Sequence, residues 1–222
     1  VPSDADFYQV DAIYLNQMKK LTKGADIVIH TACTAYEGLS VFSPYLVGQN
    51  TYQISMSVFT AVADNNIPKL INCSSMARYG EQETVPFTED MVPKPQDPYG
   101  IAKLASEESL KVMSKVHEFE FVNLVPHNII GPKQKYDDPY RNVVSIMINR
   151  VLNGQPPIIY GDGSQQRCFS DIDDVVNPII NSLTNPDAVY ETINVGPDED
   201  VISILELSER VLKVLNSYLE PI

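Results

Sequence analysis

Short apolar runs alternate along the chain with longer stretches in which apolar residues recur every three or four positions. The short runs predict β-strands, and the longer periodic stretches predict helices. The predicted strands cover residues 7–10, 26–32, 68–73, 119–126, 157–160 and 191–195. The predicted helices cover residues 11–22, 43–65, 98–117, 141–153, 173–184 and 203–217. This order predicts an α/β fold, with a parallel sheet covered by helices.

Two of the predicted strands carry small polar residues at their carboxyl ends. "DIVIHTA" (26–32) and "KLINCSS" (69–75) are apolar enough to be buried on both faces. In an open α/β sheet, the carboxyl ends of the strands face the ligand crevice. Two long loops rich in proline and charge, 80–98 and 131–141, interrupt the alternation, and loops of this length usually shape a site.

The composition excludes several classes of partner. The 222 residues, 44% of them hydrophobic, are enough for one large domain or for one domain with a small lobe. A formal net charge of -13 argues against binding nucleic acid or an anionic membrane. An anionic ligand therefore needs a local basic pocket.

The cysteines and the hydropathy point to a reducing compartment. The scattered Cys33, Cys73 and Cys168 have no CxxC spacing, so neither a disulfide framework nor a zinc or other metal site is expected. No apolar run approaches the roughly 20 residues of a membrane span, and the N-terminus does not resemble a signal peptide. We expect a cytoplasmic protein that does not contact membranes.

The segment "DPYGIAK" (97–103) predicts the start of a helix, with Asp97 as its cap and Pro98 in its first position. Tyr99 and Lys103 are four residues apart and therefore share one helical face. A phenol can act as an acid or base near neutral pH if an adjacent ammonium lowers its pKa. From the pair alone, the commoner explanation is an amphipathic helix with a packed tyrosine and a solvated lysine.

A pair of serines supplies the context for Tyr99. Ser74 and Ser75 follow a buried strand in "INCSSMARYG" (71–80), and a hydroxyl there can reach a substrate oxygen beside the phenol. An isolated serine pair more often only closes a turn. Together with "PYGIAK", however, the serine and the following "YG" resemble the extended short-chain dehydrogenase/reductase family, in its NAD-dependent sugar-nucleotide epimerase and dehydratase branch.

The resemblance extends over nearly the whole chain and implies a set of NAD-binding residues. "DIVIHTAC" (26–33) is similar to the family's strand that ends in HxAA, although Cys33 stands in place of the usual alanine. Asp11 and Ala12 match the acidic strand end beside the adenine, and Asn50 matches an asparagine near the cofactor. The residues implied to bind NAD are Asp11, Ala12, His30, Thr31, Ala32, Asn50, Ser74, Tyr99 and Lys103.

The same resemblance implies a nucleoside-diphosphate sugar as the substrate. "PHNIIGP" (126–132) is similar to the segment whose asparagine, here Asn128, holds the pyrophosphate, and residues 158–176 resemble a segment that includes Arg167. An arginine offers a planar fork to a diphosphate, although a surface salt bridge explains Arg167 equally well. The residues implied to bind substrate are Ser75, Met76, Asn128, Asn142, Val143, Tyr160 and Arg167.

Some residues near these motifs are expected to have other roles. Lys133, Lys135 and Arg141 make the 131–141 loop locally basic, and we expect both lysines to be solvated. Cys73 and His127 are ionisable and lie near the strand ends. We expect both to be packing residues.

Catalytic roles follow from the resemblance for Ser75, Tyr99 and Lys103. Tyr99 is the implied acid/base, Lys103 lowers its pKa, and Ser75 hydrogen-bonds the reacting oxygen. The implied reaction is epimerisation, at C4, through a keto sugar. Met76, Ala77 and Arg78 follow Ser75 and supply no carboxylate, which disfavours dehydration. A dehydratase, a reductase or a non-catalytic binding module of the same fold remain alternatives.

The implied architecture is a Rossmann-like, doubly wound parallel sheet with part of a small C-terminal substrate lobe. The family's GxxGxxG motif is absent from this sequence, so the N-terminal glycine-rich βαβ unit is expected to lie outside a record of a longer protein. Residues 7–10 then correspond to a strand without a neighbour, and strand 26–32 to an edge. Residues 1–140 form the expected NAD-binding core and 141–222 the mixed lobe and returning core elements.

Relatives of this kind imply a homodimer. Its interface would use the helices at about 43–65 and 98–117. The apolar stripe Ile54, Val58 and Val62 is compatible with that interface and equally with packing on the sheet.

Overall fold

A computed structural model describes residues 3–138, 142–197, 199 and 201–222. The helices are α1 (Leu15–Leu21), α2 (Glu37–Phe42), α3 (Pro44–Gly48), α4 (Ile54–Asp64), α5 (Pro98–His117), α6 (Val143–Leu152), α7 (Ile172–Thr184) and α8 (Ile204–Val214). The strands are β1 (Ile27–His30), β2 (Lys69–Cys73), β3 (Glu120–Pro126), β4 (Ile129–Ile130), β5 (Gln166–Arg167), β6 (Ser170–Asp171), β7 (Thr192–Val195) and β8 (Ile202–Ser203).

Four parallel strands form the central sheet in the order β1-β2-β3-β7. Asn72 in β2 lies opposite both His30 in β1 and Asn123 in β3. In addition, β4 pairs with β6 in parallel and β5 with β8 in antiparallel orientation. Because the central strands are parallel, their carboxyl ends lie at one edge of the sheet, which confirms the predicted α/β class and places the predicted site at that edge.

Helices cover both faces of the sheet, as alternating side chains of one strand show. Leu70 packs with α1, α4 and α5 on one face, whereas the next residue, Ile71, packs with α7 on the other. A third apolar cluster joins α6 to α8 beside the β5 and β8 pair. The structure is therefore doubly wound, as the resemblance implied.

The predicted strands at 7–10 and 157–160 were wrong. Residues 7–10 form no strand and pair with no described strand, whereas β1 is the edge of the described sheet, as expected for 26–32, and Ile29 on it is 45% exposed. Residues 157–160 exchange two backbone hydrogen bonds with the chain end, Ile159 N to Ile222 O (2.7 Å) and Ile222 N to Pro157 O (3.0 Å). A single exchanged pair beside two prolines does not make a ladder, because proline has no N–H to donate.

The long helix predicted at 43–65 is interrupted. Helical structure begins earlier, at α2, stops at Ser43, and restarts with Pro44 in the first position of α3. A π-helical turn at Gln49–Gln53 then leads into α4. Ile54, Val58 and Val62 are buried in the core under the sheet, so this stripe packs inward and not against a second copy.

The other helix predictions differ mainly at their ends. The helix predicted at 98–117 has those bounds in the structure. Two predicted helices are shorter, because α1 begins at Leu15 and α8 ends at Val214. The predicted start of α6 at Arg141 lies outside the described residues, and its first described helical residue is Val143. Within the described ranges, no helix is long and apolar enough to cross a bilayer.

Candidate active site

Tyr99 and Lys103 occupy one face at the start of α5. Asp97 caps this helix by accepting a 2.9 Å hydrogen bond from Gly100 N, and Pro98 fills the first helical position. Both side chains are buried, with Tyr99 5% and Lys103 4% exposed. Lys103 Nζ donates a 2.7 Å hydrogen bond to the carbonyl oxygen of Cys73 and lies 5.9 Å from the centre of the Tyr99 ring. The cap therefore fixes the two residues at the carboxyl end of β2.

Ser75 meets Tyr99 from the turn that follows β2. Its hydroxyl accepts a 3.2 Å hydrogen bond from Ala77 N, which begins a short 3-10 helix at Met76–Arg78. The hydroxyl of Tyr99 interacts with the side chain of Ser75. Gly100 permits this approach, because a Cβ there would lie 2.5 Å from the carbonyl oxygen of Ala77. The structure thus brings together the three residues predicted to be catalytic.

Cys33 is a further member of the site that sequence reasoning missed. It follows β1, and its side chain interacts with the hydroxyl of Tyr99 from the side of the neighbouring strand. The only signal in the sequence was its departure from the alanine usual in the HxAA motif. Cys73, expected to be a packing residue, is half-buried, and burial raises the pKa of its thiol while nearby Lys103 lowers it.

The expected lowering of the Tyr99 pKa is not found. Burial is the largest cause that raises the pKa of Tyr99 well above its ordinary value, and Cys33 and Glu37 add to it. The contact with Ser75 acts in the opposite direction. Lys103 does not offset the burial, because its ammonium is directed to the Cys73 carbonyl oxygen. Burial of Tyr99 therefore favours the neutral phenol over the phenolate.

A groove of about 610 Å³ leads away from Cys33 along the end of β1. It is lined by Gln9, Val10, Asp11, Ala12, Ala32, Cys33, Thr34, Asn50 and Ile54. Four residues predicted to bind NAD, namely Asp11, Ala12, Ala32 and Asn50, are in this lining, and Thr31 is exposed next to it. The groove is within the size range of a cofactor site.

Two residues predicted to bind NAD direct their side chains elsewhere. His30 is buried against Ser55, with 3.0 Å between Nε2 and Oγ. Burial, aided by Lys103, lowers the pKa of His30 to about 3. The hydroxyl of Ser74 donates a hydrogen bond to the carboxyl group of buried Glu107. Neither side chain faces the groove, because each already has a buried protein partner.

Asn128 lies just beyond the end of β3, and Arg167 lies in β5. Asn128 has a left-handed backbone (φ 32°), and its amide donates a 3.1 Å hydrogen bond to the carbonyl oxygen of Cys168. Arg167 is exposed, and its positive charge lowers the pKa values of both Glu37 and His127. For Glu37 this effect of Arg167 is the smaller one, because partial burial and the nearby Asp97 raise its pKa above the ordinary value. Asn128, Arg167 and Glu37 therefore border one polar space, and Glu37 connects it to Tyr99.

His127 lies in this polar space, where we had expected a packing residue. It is half-buried and is 3.1 Å from the Asn128 amide through its Nε2. Burial is the first cause that lowers its pKa, and Arg167 the second.

The remaining residues predicted to bind substrate are less closely connected to Tyr99. Met76 is half-buried in the Ser75 turn. Asn142 caps α6 by accepting a 3.0 Å hydrogen bond from Val144 N. Val143, the first residue of α6, belongs to the apolar cluster between α6 and α8. Tyr160 is 82% exposed. No described contact joins Asn142, Val143 or Tyr160 to Tyr99. Of the basic loop, Lys133 and Lys135 are exposed, as expected, and Arg141 lies outside the described residues.

Comparisons with known proteins agree with this arrangement. A protein from Methanocaldococcus jannaschii, provisionally named UDP-glucose 4-epimerase, is 31% identical over 188 residues, covering 83% of this chain and 59% of its own length. The UDP-glucose 4-epimerase of Thermotoga maritima, solved with UDP-glucose, has a TM-score of 0.93 and 25% identity and covers 100% of this chain and 72% of its own. The UDP-N-acetylglucosamine 4-epimerase of Methanobrevibacter ruminantium, solved with UDP-N-acetylmuramic acid, has a TM-score of 0.85 and 33% identity over 92% of this chain and 66% of its own.

The chain spans about three fifths of the length of the curated relatives it matches, 59% and 61% in two examples. The family model for NAD dependent epimerases and dehydratases matches residues 1–196. NAD is the cofactor of this family. The chain is therefore a member of the NAD dependent epimerase/dehydratase family.

Proposed function

We propose that the protein containing this chain epimerises a nucleoside-diphosphate sugar at C4 through a keto-sugar intermediate, with Tyr99 as the acid/base. The observation that carries the proposal is the packing of the start of α5, with buried Tyr99 and Lys103, against the end of β2 and the turn that carries Ser75. A phenol and a second hydroxyl that face one point can share a proton with a substrate hydroxyl there.

The residues that line the groove fit NAD. The exposed Asp11 carboxylate can accept hydrogen bonds from ribose hydroxyls or an adenine amine, Ala32 leaves room for a ring, and Asn50 offers an amide. When bound, NAD⁺ supplies the acceptor and later the donor of the hydride removed from the sugar carbon. Cys33 lines the groove and interacts with Tyr99, so a cofactor held by these residues would supply its hydride chemistry beside the proposed acid/base.

The substrate is held, in this proposal, by residues outside the groove. The guanidinium of Arg167 is a donor suited to a diphosphate. Asn128 is proposed to lie beside the diphosphate, and Asn142, Val143 and Tyr160 are proposed to meet the nucleoside. The phenolate form of Tyr99 takes the proton of the sugar hydroxyl, and Ser75 donates a hydrogen bond to the same oxygen. When the keto sugar has turned its other face, Tyr99 returns the proton to the new alcohol.

The names of the relatives support a UDP-sugar. One is provisionally named a UDP-glucose 4-epimerase, and two solved neighbours are a UDP-glucose 4-epimerase and a UDP-N-acetylglucosamine 4-epimerase. The test incubates the protein with NAD⁺ and each of these UDP-sugars and follows the sugar protons by NMR. Inversion at C4 supports the proposal. Saturable NAD⁺ binding without turnover of any nucleotide sugar would contradict it, and a lack of NAD⁺ binding would favour a non-catalytic binding module.

One observation favours a dehydratase as the second candidate. Glu37 contributes to the raised pKa of Tyr99 and has a raised pKa of its own, so a carboxyl that can hold a proton lies near the reacting position. Dehydratases need such a carboxyl to eliminate water across the sugar ring. A product that has lost the elements of water, in place of an epimer, identifies this activity.

We also propose a homodimer. Exposed apolar residues line the outer side of α5 and the preceding helices, namely Phe42, Tyr45, Leu46, Tyr52, Ile101, Val112 and Val116. An exposed apolar patch of this kind fits an association surface. Light scattering of the protein and of an Ile101→Glu variant tests it, since a charge on this face is expected to release monomers, and an unchanged mass in the variant argues against this surface.

A further inference from the structure

Glu107 lies on the same face of α5 as Tyr99 and Lys103. The three residues are spaced by four, and helical geometry places them in one stripe. Glu107 is 1% exposed, and its carboxyl group is directed toward the end of β2. Nothing in the mechanism above uses this buried acidic group.

The carboxylate of Glu107 holds both ends of the turn that presents Ser75. One oxygen accepts a hydrogen bond from the hydroxyl of Ser74, the residue directly before Ser75. The other oxygen forms a 3.1 Å ion pair with Nε of Arg78, three residues after Ser75. The turn is therefore fixed on both sides of Ser75 by a single side chain.

Other contacts fix the same segment to the sheet. The backbone N of Ser74 donates a 2.7 Å hydrogen bond to the carbonyl oxygen of Leu124 in β3. The guanidinium of Arg78 donates a 3.1 Å hydrogen bond to the hydroxyl of Tyr79, which in turn donates a 2.9 Å hydrogen bond to Asn194 in β7. Glu107 joins this network to α5, the helix that carries Tyr99.

Stability alone is a weak reason for this buried ion pair. Burial raises the pKa of Glu107. The contacts with Ser74 and Arg78 lower this pKa, but they do not cancel the effect of burial. Removing two charges from water costs several kcal/mol per ion, and apolar pairs of similar volume are often at least as stable. The geometric consequence is more specific, because the pair links the acid/base helix to the serine turn.

We propose that Glu107 is a positioning residue that holds the Ser75 hydroxyl opposite the Tyr99 hydroxyl. This inference rests on the proposed function for its kinetic consequence, but its structural consequence can be measured without turnover. Without the carboxylate, the ends of the turn separate from α5, and Ser75 moves away from Tyr99.

The test compares Glu107→Gln with a double variant, Arg78→Met with Glu107→Leu, in the full protein. The single variant leaves the Arg78 charge buried without its partner and is expected to lose stability, whereas the double variant removes both charges. The matched control is Glu108→Gln, which changes an exposed carboxylate that pairs with Lys111 at 2.8 Å. We expect the double variant to remain folded, with a kcat lower by about 10- to 100-fold and a KM for the nucleotide sugar within about twofold of the parent.

Crystal structures of the parent and of the double variant provide the second measurement. We expect the distance from Ser75 Oγ to Tyr99 Oη to increase in the double variant and to be unchanged in Glu108→Gln. A folded double variant with parental kcat, or with the parental distance between these two atoms, overturns the positioning role. A parent without turnover contradicts the proposed function instead, and the distance then decides the role of Glu107 by itself.

Discussion

Lys103 donates a 2.7 Å hydrogen bond from Nζ to the carbonyl oxygen of Cys73, the last residue of β2. This bond joins the start of α5 to the strand that leads into Ser75. Replacement of Lys103 by Met removes both the bond and the ammonium beside Tyr99. We expect kcat to fall by about 10²- to 10⁴-fold, the range of a lost acid/base arrangement.

Steady-state kinetics of Lys103→Met and of a control variant, Lys111→Met, measure this effect. Lys111 lies two turns further along α5 and pairs only with Glu108 among the ion pairs of the described chain. The control should keep the parental kcat. A Lys103→Met variant as active as the control would show that neither the bond to Cys73 nor the ammonium beside Tyr99 contributes to turnover.

The contact between Cys33 and Tyr99 predicts a change in the pH dependence of turnover. Burial and Cys33 raise the pKa of Tyr99, so the fraction of phenolate, and with it kcat/KM, increases with pH. Cys33→Ala removes one of the causes that raise this pKa. The rising limb of the pH profile should therefore move to lower pH.

The pH profile of kcat/KM for the parent, Cys33→Ala and Cys33→Ser measures the shift. Cys33→Ser replaces the thiol by a hydroxyl, and the hydroxyl of Ser75 lowers the pKa of Tyr99, so the serine variant should shift the limb at least as far as alanine does. A limb that stays at the parental pH in both variants shows that Cys33 does not influence the acid/base.

Local chemistry made parts of this fold and site predictable. The start of α5 follows from the Asp97 cap and Pro98, which act through neighbouring residues. The interruption before α4 depends on Ser43 and a π-helical turn, which apolar periodicity does not reveal. The position of Ser75 near Tyr99 could be predicted because parallel strands end at one edge.

Tertiary contacts decided the rest. The raised pKa of Tyr99 depends mainly on its burial, which the spacing of Tyr99 and Lys103 does not encode. Similarly, Glu107 is distant in sequence from Ser74 and Arg78, and only the packing of α5 on β2 brings the three together. His30 was predicted to bind NAD, and only the tertiary structure shows that its side chain packs against Ser55.

His30 predicts a loss of stability in acid. Its pKa is about 3 in the folded protein and about 6.5 in an unfolded chain. The unfolded state therefore binds more protons between these values, and folding stability that is complete above pH 6.5 decreases as the pH falls. A single such group contributes a slope of about 1.4 kcal/mol per pH unit below about pH 6.

Urea unfolding of the parent and of His30→Gln between pH 6 and pH 4 tests this slope. The variant has no imidazole to protonate, so its free energy of unfolding should depend less on pH than that of the parent. Equal slopes in the two proteins would show that His30 is protonated without unfolding.

Arg167 predicts an effect on substrate binding with little effect on the chemical step. Arg167→Met removes the guanidinium proposed to hold the diphosphate, and a lost charge-assisted hydrogen bond corresponds to about a 10- to 100-fold higher KM. Arg210→Met on the exposed side of α8 is the control and should keep the parental KM. A normal KM in Arg167→Met would remove Arg167 from the proposed substrate site.

The most direct test of the central claim is the rate of C4 inversion by the parent and by Tyr99→Phe, with NAD⁺ and a UDP-sugar that the parent accepts. Proton NMR of the sugar ring measures the rate, and nicotinamide fluorescence confirms that both proteins bind NAD⁺. We predict inversion by the parent and a loss of about 10²- to 10⁴-fold in Tyr99→Phe with cofactor binding retained. Equal rates of inversion in the two proteins would contradict the role of Tyr99 as the acid/base.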